Sequence, residues 1–267
     1  MALTLGQLPT LRAGRPVLRR DDHTFQIGIG AHPVLLRDEP AIDVLLQHLD
    51  PIATPTEQVD LDHPAVRDAL ARLGAAGHLT GTDPPRPLPA LGLTVLDPDL
   101  DDRVAPLLDV AGLRRDDADA EAWLVAAPGP VPRDVADGLL RSGTPHLLVS
   151  LVEGAWRIGP FVVPGATACL CCVDAHESEA DPRRALLLTQ AARAAQRHPE
   201  QPDPLHELGA LSWALRDLRT YLAGGEPGTW SATVDLPAPD DPSGAPRITH
   251  WLRHPACGCA WDELPLE

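Results

Sequence analysis

Five cysteines in two clusters are the residues of this chain whose spacing points most directly to chemistry. Cys169, Cys171 and Cys172 form the first cluster, and Cys257 and Cys259 form the second, with 84 residues between the two clusters. Two close pairs of thiolates brought together make a tetrahedral four-sulfur site, which suits zinc. We therefore expect Cys169, Cys172, Cys257 and Cys259 to hold zinc, with Cys171 buried to one side.

Other interpretations of the cysteines stay open at this stage. His176 or His254 could replace one thiolate, the cysteines could be unrelated core residues, or the first cluster could be a redox pair at a helix start. The redox pair leaves the second cluster unexplained. Because four thiolates leave no open position for water, the zinc would be structural and would join the two cysteine-bearing loops.

The composition excludes several function classes. All 22 basic residues are arginines, so a mechanism that needs a Lys Schiff base or a P-loop lysine is ruled out. A net charge of −16 argues against a nucleic-acid binder, which needs basic surface to displace counterions. No apolar run approaches the roughly 18 residues of a membrane span, and no secretion signal is visible at the N-terminus. We expect a cytoplasmic protein that binds neither nucleic acid nor membrane.

A proline-rich stretch divides the chain into two parts. Four prolines fall within residues 82–89, and such a stretch can neither continue a helix nor lie in a central strand. We expect a first domain over 1–81, a linker over 82–90 and a second domain over 91–267.

The first domain is predicted to be a small winged-helix-like α+β domain, with three strands followed by three helices. The strands are expected over 15–20, 24–28 and 33–37, and the helices over 41–49, after a cap at Thr54 or Thr56, and over 63–76. A last short strand is expected at Leu79.

The second domain alternates buried strands with helices, which predicts an α/β fold with a parallel sheet. Strands are expected over 93–96, 123–126 and 146–152, with helices over 104–110 and 135–141 between them. Longer helices over 183–197 and 204–222 follow, with late strands over 159–164, 229–236 and 247–252.

The cysteine clusters and their flanks carry a family resemblance. Gly159-Pro-Phe-Val-Val-Pro-Gly165, Cys169-Leu-Cys-Cys172 and His254-Pro-Ala-Cys-Gly-Cys259 resemble the E1-like (ThiF/MoeB-related) partner proteins of azole-forming peptide biosynthesis. Those proteins accompany YcaO-type cyclodehydratases in making thiazole- and oxazole-modified peptides. The resemblance covers most of the chain, and it implies an N-terminal leader-recognition domain followed by an E1-like α/β domain with a zinc-stapled C-terminal part.

The first Rossmann strand departs from that of an adenylating E1-like enzyme. Such an enzyme has a glycine-rich loop after this strand, whose N–H groups cradle the ATP phosphates. Leu93–Asp102 here contains no glycine and four aspartates, and the chain's Gly-x-Gly, Gly28 to Gly30, falls in the β-rich first domain. We therefore expect a degenerate sheet that binds no ATP, and the resemblance implies that the YcaO partner uses the ATP.

The resemblance also implies where a precursor peptide would bind. In leader-recognition domains the peptide adds as an extra strand beside the third strand and lies against the third helix. The implied peptide-binding residues are Val34, Leu35, Leu36, Arg37, Val66, Arg67 and Leu70. Leu73 is a further candidate for the groove floor, and Arg72 for contact with acidic leader residues. The alternative is that the apolar members of this set are core residues.

Three function classes follow from these observations. The leading one is a non-catalytic scaffold that binds a leader peptide and presents it to a YcaO-type cyclodehydratase. The others are an ATP-dependent E1-like adenylyl- or sulfur-transfer enzyme with Cys171 as acceptor thiol, and a winged-helix transcription regulator. The resemblance further implies a homodimer, for which faces carrying Leu186–Leu188, Leu211 and Trp213 are the candidate surface.

Overall fold

The structure, a computed structural model, describes residues 8–80, 87–241 and 244–259. The chain separates into two compact units, residues 1–86 and 87–267. Residues 82–86 of the expected linker lie outside the described residues. None of the helices in the described ranges is long and apolar enough to cross a membrane.

The first unit combines short strands with two helices. Its elements are β1 (Thr10–Leu11), β2 (Val17–Asp21), β3 (Thr24–Ile27), β4 (Val34–Arg37), α1 (Pro40–Leu49), α2 (Pro64–Ala75) and β5 (Leu79–Thr80). Strands β2, β3 and β4 form an antiparallel sheet in that order, and β1 pairs with β5.

Both helices of the first unit begin with proline, which suits the first helical turn because the missing N–H has no partner there anyway. Each helix buries one apolar stripe at helical spacing against the sheet. The buried residues are Ile42, Leu45, Leu46 and Leu49 of α1, Val66, Ala69 and Leu73 of α2, and Val34 and Leu36 of β4. This shared core fixes the position of α2 beside β4.

The helix expected after Thr54 or Thr56 is absent, so the three-helix order was wrong. Residues 50–63, all of which are described, form turns and extended segments. The carboxylates of Asp50 and Asp60 accept hydrogen bonds from the backbone N–H groups two residues further on, at 3.0 Å. Such local bonds compete with helix formation.

The second unit is an α/β structure around one seven-stranded sheet. Its elements are β6 (Ala90–Val95), α3 (Pro98–Ala111), β7 (Arg114–Arg115), β8 (Ala122–Ala127), α4 (Arg133–Arg141), β9 (His146–Val152), β10 (Ala155–Val162), α5 (Leu170–Ala180), α6 (Arg184–Arg197), α7 (Pro204–Leu222), β11 (Ala232–Leu236) and β12 (Arg247–His250).

The sheet of the second unit has the strand order β12-β11-β10-β9-β8-β6-β7. Strands β7, β6, β8 and β9 are parallel, and β10, β11 and β12 extend the sheet in antiparallel fashion. The expected Rossmann-type parallel part is therefore present. Helix α7 buries Ala210, Leu211, Ala214 and Leu218 in the largest apolar core of this unit.

Candidate metal centre and peptide-binding edge

Four cysteine thiols of the second unit lie within reach of one metal ion. Cys169 is the N-cap of α5 and Cys172 lies in its first turn, whereas Cys257 and Cys259 follow β12. The Cys169 sulfur lies 3.7 Å from that of Cys172 and 3.5 Å from those of Cys257 and Cys259. The sulfurs of Cys172 and Cys259 are 3.3 Å apart.

These distances fit a tetrahedral four-sulfur metal site. Four Zn–S bonds of about 2.3 Å place neighbouring sulfurs about 3.8 Å apart, close to what is observed. All four cysteines are free thiols, and three of them are buried. The cluster can therefore hold a metal ion and is compatible with zinc. With four sulfur ligands the ion would have no open position for a reacting water, so its role would be structural.

The surroundings of the cluster favour charged sulfur at one position. The pKa of Cys172 is lowered to about 4, chiefly because the Cys169 thiol donates to its sulfur, and the backbone N–H of His254 donates to it as well, at 3.3 Å. Burial raises the pKa of Cys257 to about 12. Since only the thiolate binds metal, a divalent cation is needed to draw the proton from this buried thiol.

Cys171 and the two nearby histidines lie outside the four-sulfur group. The Cys171 thiol donates to Asp137 at 3.6 Å instead. His176 and His254 approach Glu179, and the Nε2 atom of His254 lies 3.1 Å from its carboxylate. The sulfur-only group is thus complete without a histidine.

The carboxyl ends of β6 and β8 form the crevice in which parallel α/β sheets usually bind nucleotides. Here this crevice has a volume of about 50 Å³, whereas ligand pockets typically measure roughly 300–1,000 Å³. Asp97, Asp99, Glu200 and Glu207 line it, and Arg103 is the single cation among its described lining residues. The crevice is small and acidic, which disfavours a triphosphate.

The N-terminus of α3 is capped by an acidic side chain of the chain itself, which disfavours a phosphate there. Helix N-termini bind anions through their free N–H groups. In this chain the Asp97 carboxylate is the N-cap and accepts from the Leu100 N–H at 2.9 Å. The sequence signal for this cap is Asp97 followed by Pro98 at the first helical position.

A larger cavity of about 520 Å³ lies between one face of the sheet and helices α5 and α6. Its four arginines are each paired with carboxylates at 2.5 to 3.5 Å. The pairs are Arg133 with Asp174, Arg157 with Asp235 and Glu177, Arg184 with Glu177, and Arg247 with Asp235. The positive charge of this cavity is therefore compensated by the chain itself.

In the first unit, β4 is an edge strand of its sheet, and some of its backbone N–H and C=O groups have no partner strand. Asp38 donates its N–H to the carbonyl of His23 on the β3 side, at 2.8 Å. Because backbone groups alternate in direction along an antiparallel strand, Leu36 also faces β3, whereas Leu35 and Arg37 point their N–H and C=O groups to the open edge. This edge can accept an added strand.

The opposite edge of the same sheet is less suited to an added strand. Strand β2 shifts its register between Arg19 and Asp21, and such irregularities interrupt a regular ladder. The guanidinium of Arg19 covers the Phe25 ring at 4.8 Å and pairs with Asp38 at 2.7 Å. The regular edge for pairing is thus β4.

The predicted peptide-binding residues divide into core and surface positions. Val34, Leu36, Val66 and Leu73 are buried core residues, and Leu70 is half-buried against that core. The exposed side chains are those of Leu35, Arg37 and Arg67. A docked peptide would therefore meet the backbone of β4 and these exposed side chains.

Comparisons with known proteins agree with this architecture. The fold of this chain is that of solved structures of two heterocyclases and of MccB, as the sequence resemblance predicts. The chain superposes on the heterocyclase TruD with a TM-score of 0.72 at 18% identity, over 95% of this chain and 42% of TruD. A heterocyclase solved with substrate and cofactor gives a TM-score of 0.69 at 16% identity, over 98% of this chain and 41% of that one.

MccB of E. coli is similar over nearly its whole length. Its TM-score is 0.62 at 12% identity, covering 97% of this chain and 98% of MccB. MccB has also been solved with MccA and with ATP. The chain thus spans about two fifths of the heterocyclases and almost all of MccB. No protein-family profile and no curated protein matches the sequence.

Proposed function

We propose that this chain is a non-catalytic, zinc-containing scaffold that binds the leader of a ribosomal precursor peptide in the cytoplasm. It presents that peptide to a YcaO-type cyclodehydratase for thiazole or oxazole formation. The single observation that carries this proposal is the open β4 edge beside α2, in a chain with the fold of a heterocyclase segment.

Strand addition explains how the β4 edge would hold a leader. An extended peptide gains affinity from backbone hydrogen bonds to the edge and specificity from side-chain contacts at alternate positions. Arg37 and Arg67 flank this region and make no side-chain ion pair or hydrogen bond with any described residue. In a chain of net charge −16, two free arginines at this place favour an acidic leader.

The scaffold role is supported by the two cavities of the second unit. The acidic crevice at the carboxyl ends of β6 and β8 repels a triphosphate. In the larger cavity, each of the four arginines named above already pairs with a carboxylate of the chain. The zinc would stabilise the fold by joining the start of α5 to the segment after β12, and it supplies no reaction step.

A binding experiment on the full chain tests the proposal. The probes are labelled synthetic 20-residue peptides that tile the short reading frames flanking the gene, measured by fluorescence anisotropy. We expect one tiled peptide to bind with micromolar or tighter affinity, and Arg37→Glu or Arg67→Glu to weaken it at least about tenfold by charge repulsion. The proposal fails if no tiled peptide binds, or if a labelled DNA duplex binds instead.

The alternative is an ATP-dependent E1-like adenylyl- or sulfur-transfer enzyme, which the match to a protein solved with ATP favours. Calorimetry with ATP and Mg²⁺ separates the two functions. The scaffold proposal expects no measurable heat at millimolar ATP. Tight binding, or pyrophosphate exchange dependent on a peptide, would establish the enzyme.

We also propose a homodimer, with a smaller candidate surface than the sequence indicated. Leu186 and Leu187 of α6 are 60% and 53% exposed, whereas Leu211 is buried in the core and cannot form such a surface. Light scattering at micromolar concentration tests this proposal. A measured mass equal to that of a single 28.5 kDa chain would show that the protein is not a dimer.

A further inference from the structure

The open edge of β4 carries one side chain that already uses its hydrogen-bonding capacity. The guanidinium of Arg72, in the last turn of α2, donates from Nη2 to the carbonyl oxygen of Leu35 at 2.7 Å. A second nitrogen, Nη1, lies 3.3 Å from the carboxylate of Asp68 one helical turn earlier. Arg72 is thus a clasp between α2 and the edge of β4.

The Leu35 carbonyl is one of the few acceptors that an added strand can use. The strand has four residues, and only Leu35 and Arg37 point their backbone groups outward. A peptide that pairs with this edge therefore competes with Arg72 for the same carbonyl. Protection of an edge by a charged side chain is a general way to prevent unselective strand pairing.

A peptide can displace Arg72 from the Leu35 carbonyl only if the guanidinium gains another hydrogen-bond acceptor. The contact with Asp68 is exposed on both sides, with 47% and 65% of the side chains accessible, so this ion pair holds the guanidinium weakly. A peptide carboxylate beside the edge offers Arg72 a charge-assisted, two-pronged hydrogen bond that a neutral side chain cannot match.

We infer that Arg72 is a specificity-determining residue, which releases the β4 edge to peptides that bring a carboxylate to it. This inference rests on the proposed function and names the class of peptide that the edge selects. A peptide N–H group would replace Arg72 at the Leu35 carbonyl. The carboxylate of one Asp or Glu of the peptide would then form an ion pair with the Arg72 guanidinium.

The alternation of a strand sets which peptide residue is the carboxylate. Leu35 and Arg37 point their side chains away from the core, on the face opposite to Val34 and Leu36. Arg72 approaches the edge from α2, on the core side. An added strand therefore presents an apolar residue beside Leu35 on one face, and the selected carboxylate one position away, on the face towards α2.

A randomised 12-residue peptide library displayed on phage and selected on the full chain tests this inference. We expect selected peptides to share an Asp or Glu next to an apolar residue. For the tightest peptide, replacing that acid by its amide should weaken binding to the natural chain at least about tenfold, in keeping with a charge-assisted bond. The same replacement should matter less than about twofold for the Arg72→Gln variant, which should also bind the amide peptide better than the natural chain does.

Arg15→Gln is the matched control, because it removes an exposed arginine of the same unit that lies outside both β4 and α2. This variant should keep the preference for the acid. Equal sensitivity to the acid in the Arg72→Gln and natural chains overturns the inference while leaving strand addition intact. Failure of the natural chain to select any peptide would instead overturn the proposed function.

Discussion

The guanidinium of Arg103 forms a two-pronged ion pair with the carboxylate of Glu207, although the two residues lie 104 positions apart. Nη2 of Arg103 lies 3.0 Å from Oε2 of Glu207, and Nε lies 2.5 Å from Oε1. The Glu207 side chain is 4% exposed, whereas that of Arg103 is 45% exposed. The pair joins α3 to α7 at the acidic crevice beyond the carboxyl ends of β6 and β8.

Removing the cation alone should therefore be costly. Arg103→Met leaves the Glu207 carboxylate buried and unpaired, and we expect it to lower the free energy of unfolding by roughly 1–3 kcal/mol. The double variant Arg103→Met with Glu207→Leu should recover most of that loss. Urea unfolding of the natural chain, the two single variants and the double variant measures the coupling free energy between the two side chains. Additive effects of the two substitutions would show that the ion pair contributes nothing to stability.

Local patterns in the sequence predict much of the second unit. The strand expected over 146–152 and the helix expected over 204–222 agree with β9 and α7 at both ends. The apolar run of β9 is unbroken and α7 begins with a proline, so the sequence itself indicates where these elements lie. Helix α5 was not predicted, since it buries only Cys172 and Val173 and shows no apolar stripe. The helix expected near Thr54 gave way to Asx turns.

Contacts between distant segments depend on topology, so the sequence predicts them only in part. Cysteine spacing indicates two pairs, and the neighbouring β10, β11 and β12 then bring Cys257 and Cys259 back to Cys169. No comparable spacing announces the ion pair of Arg103 with Glu207, or the bond from Arg72 to Leu35. Both join helix surfaces to positions that only the folded chain brings near.

Loss of one cysteine of the cluster should remove the metal. We expect purified protein to contain about one zinc per chain, and Cys257→Ser to lose most of it. Because the ligands join segments far apart in sequence, metal binding is folding energy, and the variant should lose about 3 kcal/mol or more of stability. Elemental analysis and thermal unfolding measure both effects.

Cys171→Ser provides the control for the metal site, because that thiol contacts Asp137 and lies outside the four-sulfur group. It should keep its zinc and its unfolding temperature. The assignment is wrong if Cys257→Ser retains a full complement of zinc with unchanged stability.

Acid should destabilise the second unit partly through His146. This residue begins β9, is 1% exposed, and faces the Thr144 carbonyl with Nδ1 at 2.8 Å. Burial lowers the pKa of His146 below its ordinary value. The unfolded chain therefore binds a proton near pH 6.5 that the folded chain does not, and stability present above that pH is lost as the pH falls.

The comparison with a non-titrating side chain isolates this effect. Relative to the natural chain, His146→Gln should gain up to about 1.4 kcal/mol of stability for each pH unit below roughly 6.5, until the folded pKa is reached. Urea unfolding at pH 7.5 and 5.5 supplies the difference, from which the titration of other groups cancels. A stability difference that is the same at both pH values would contradict the prediction.

A proline at position 35 should abolish peptide binding without unfolding the first unit. The Leu35 N–H points to the open edge, so proline removes a donor that an added strand needs and spares the ladder to β3. Val34 is already extended, which is the conformation favoured for a residue before proline. We expect Leu35→Pro to weaken the best tiled peptide more than about tenfold, since each lost ladder bond leaves its partner unsatisfied. Leu35→Thr, which keeps the N–H and introduces a β-branched side chain that suits a strand, should retain most of the affinity. Circular dichroism and thermal unfolding of both variants show whether the unit stays folded. Leu36→Pro should destabilise the unit, because it removes the Leu36 N–H, which faces β3. If folded Leu35→Pro protein binds the peptide as the natural chain does, the peptide does not add to β4 as a strand.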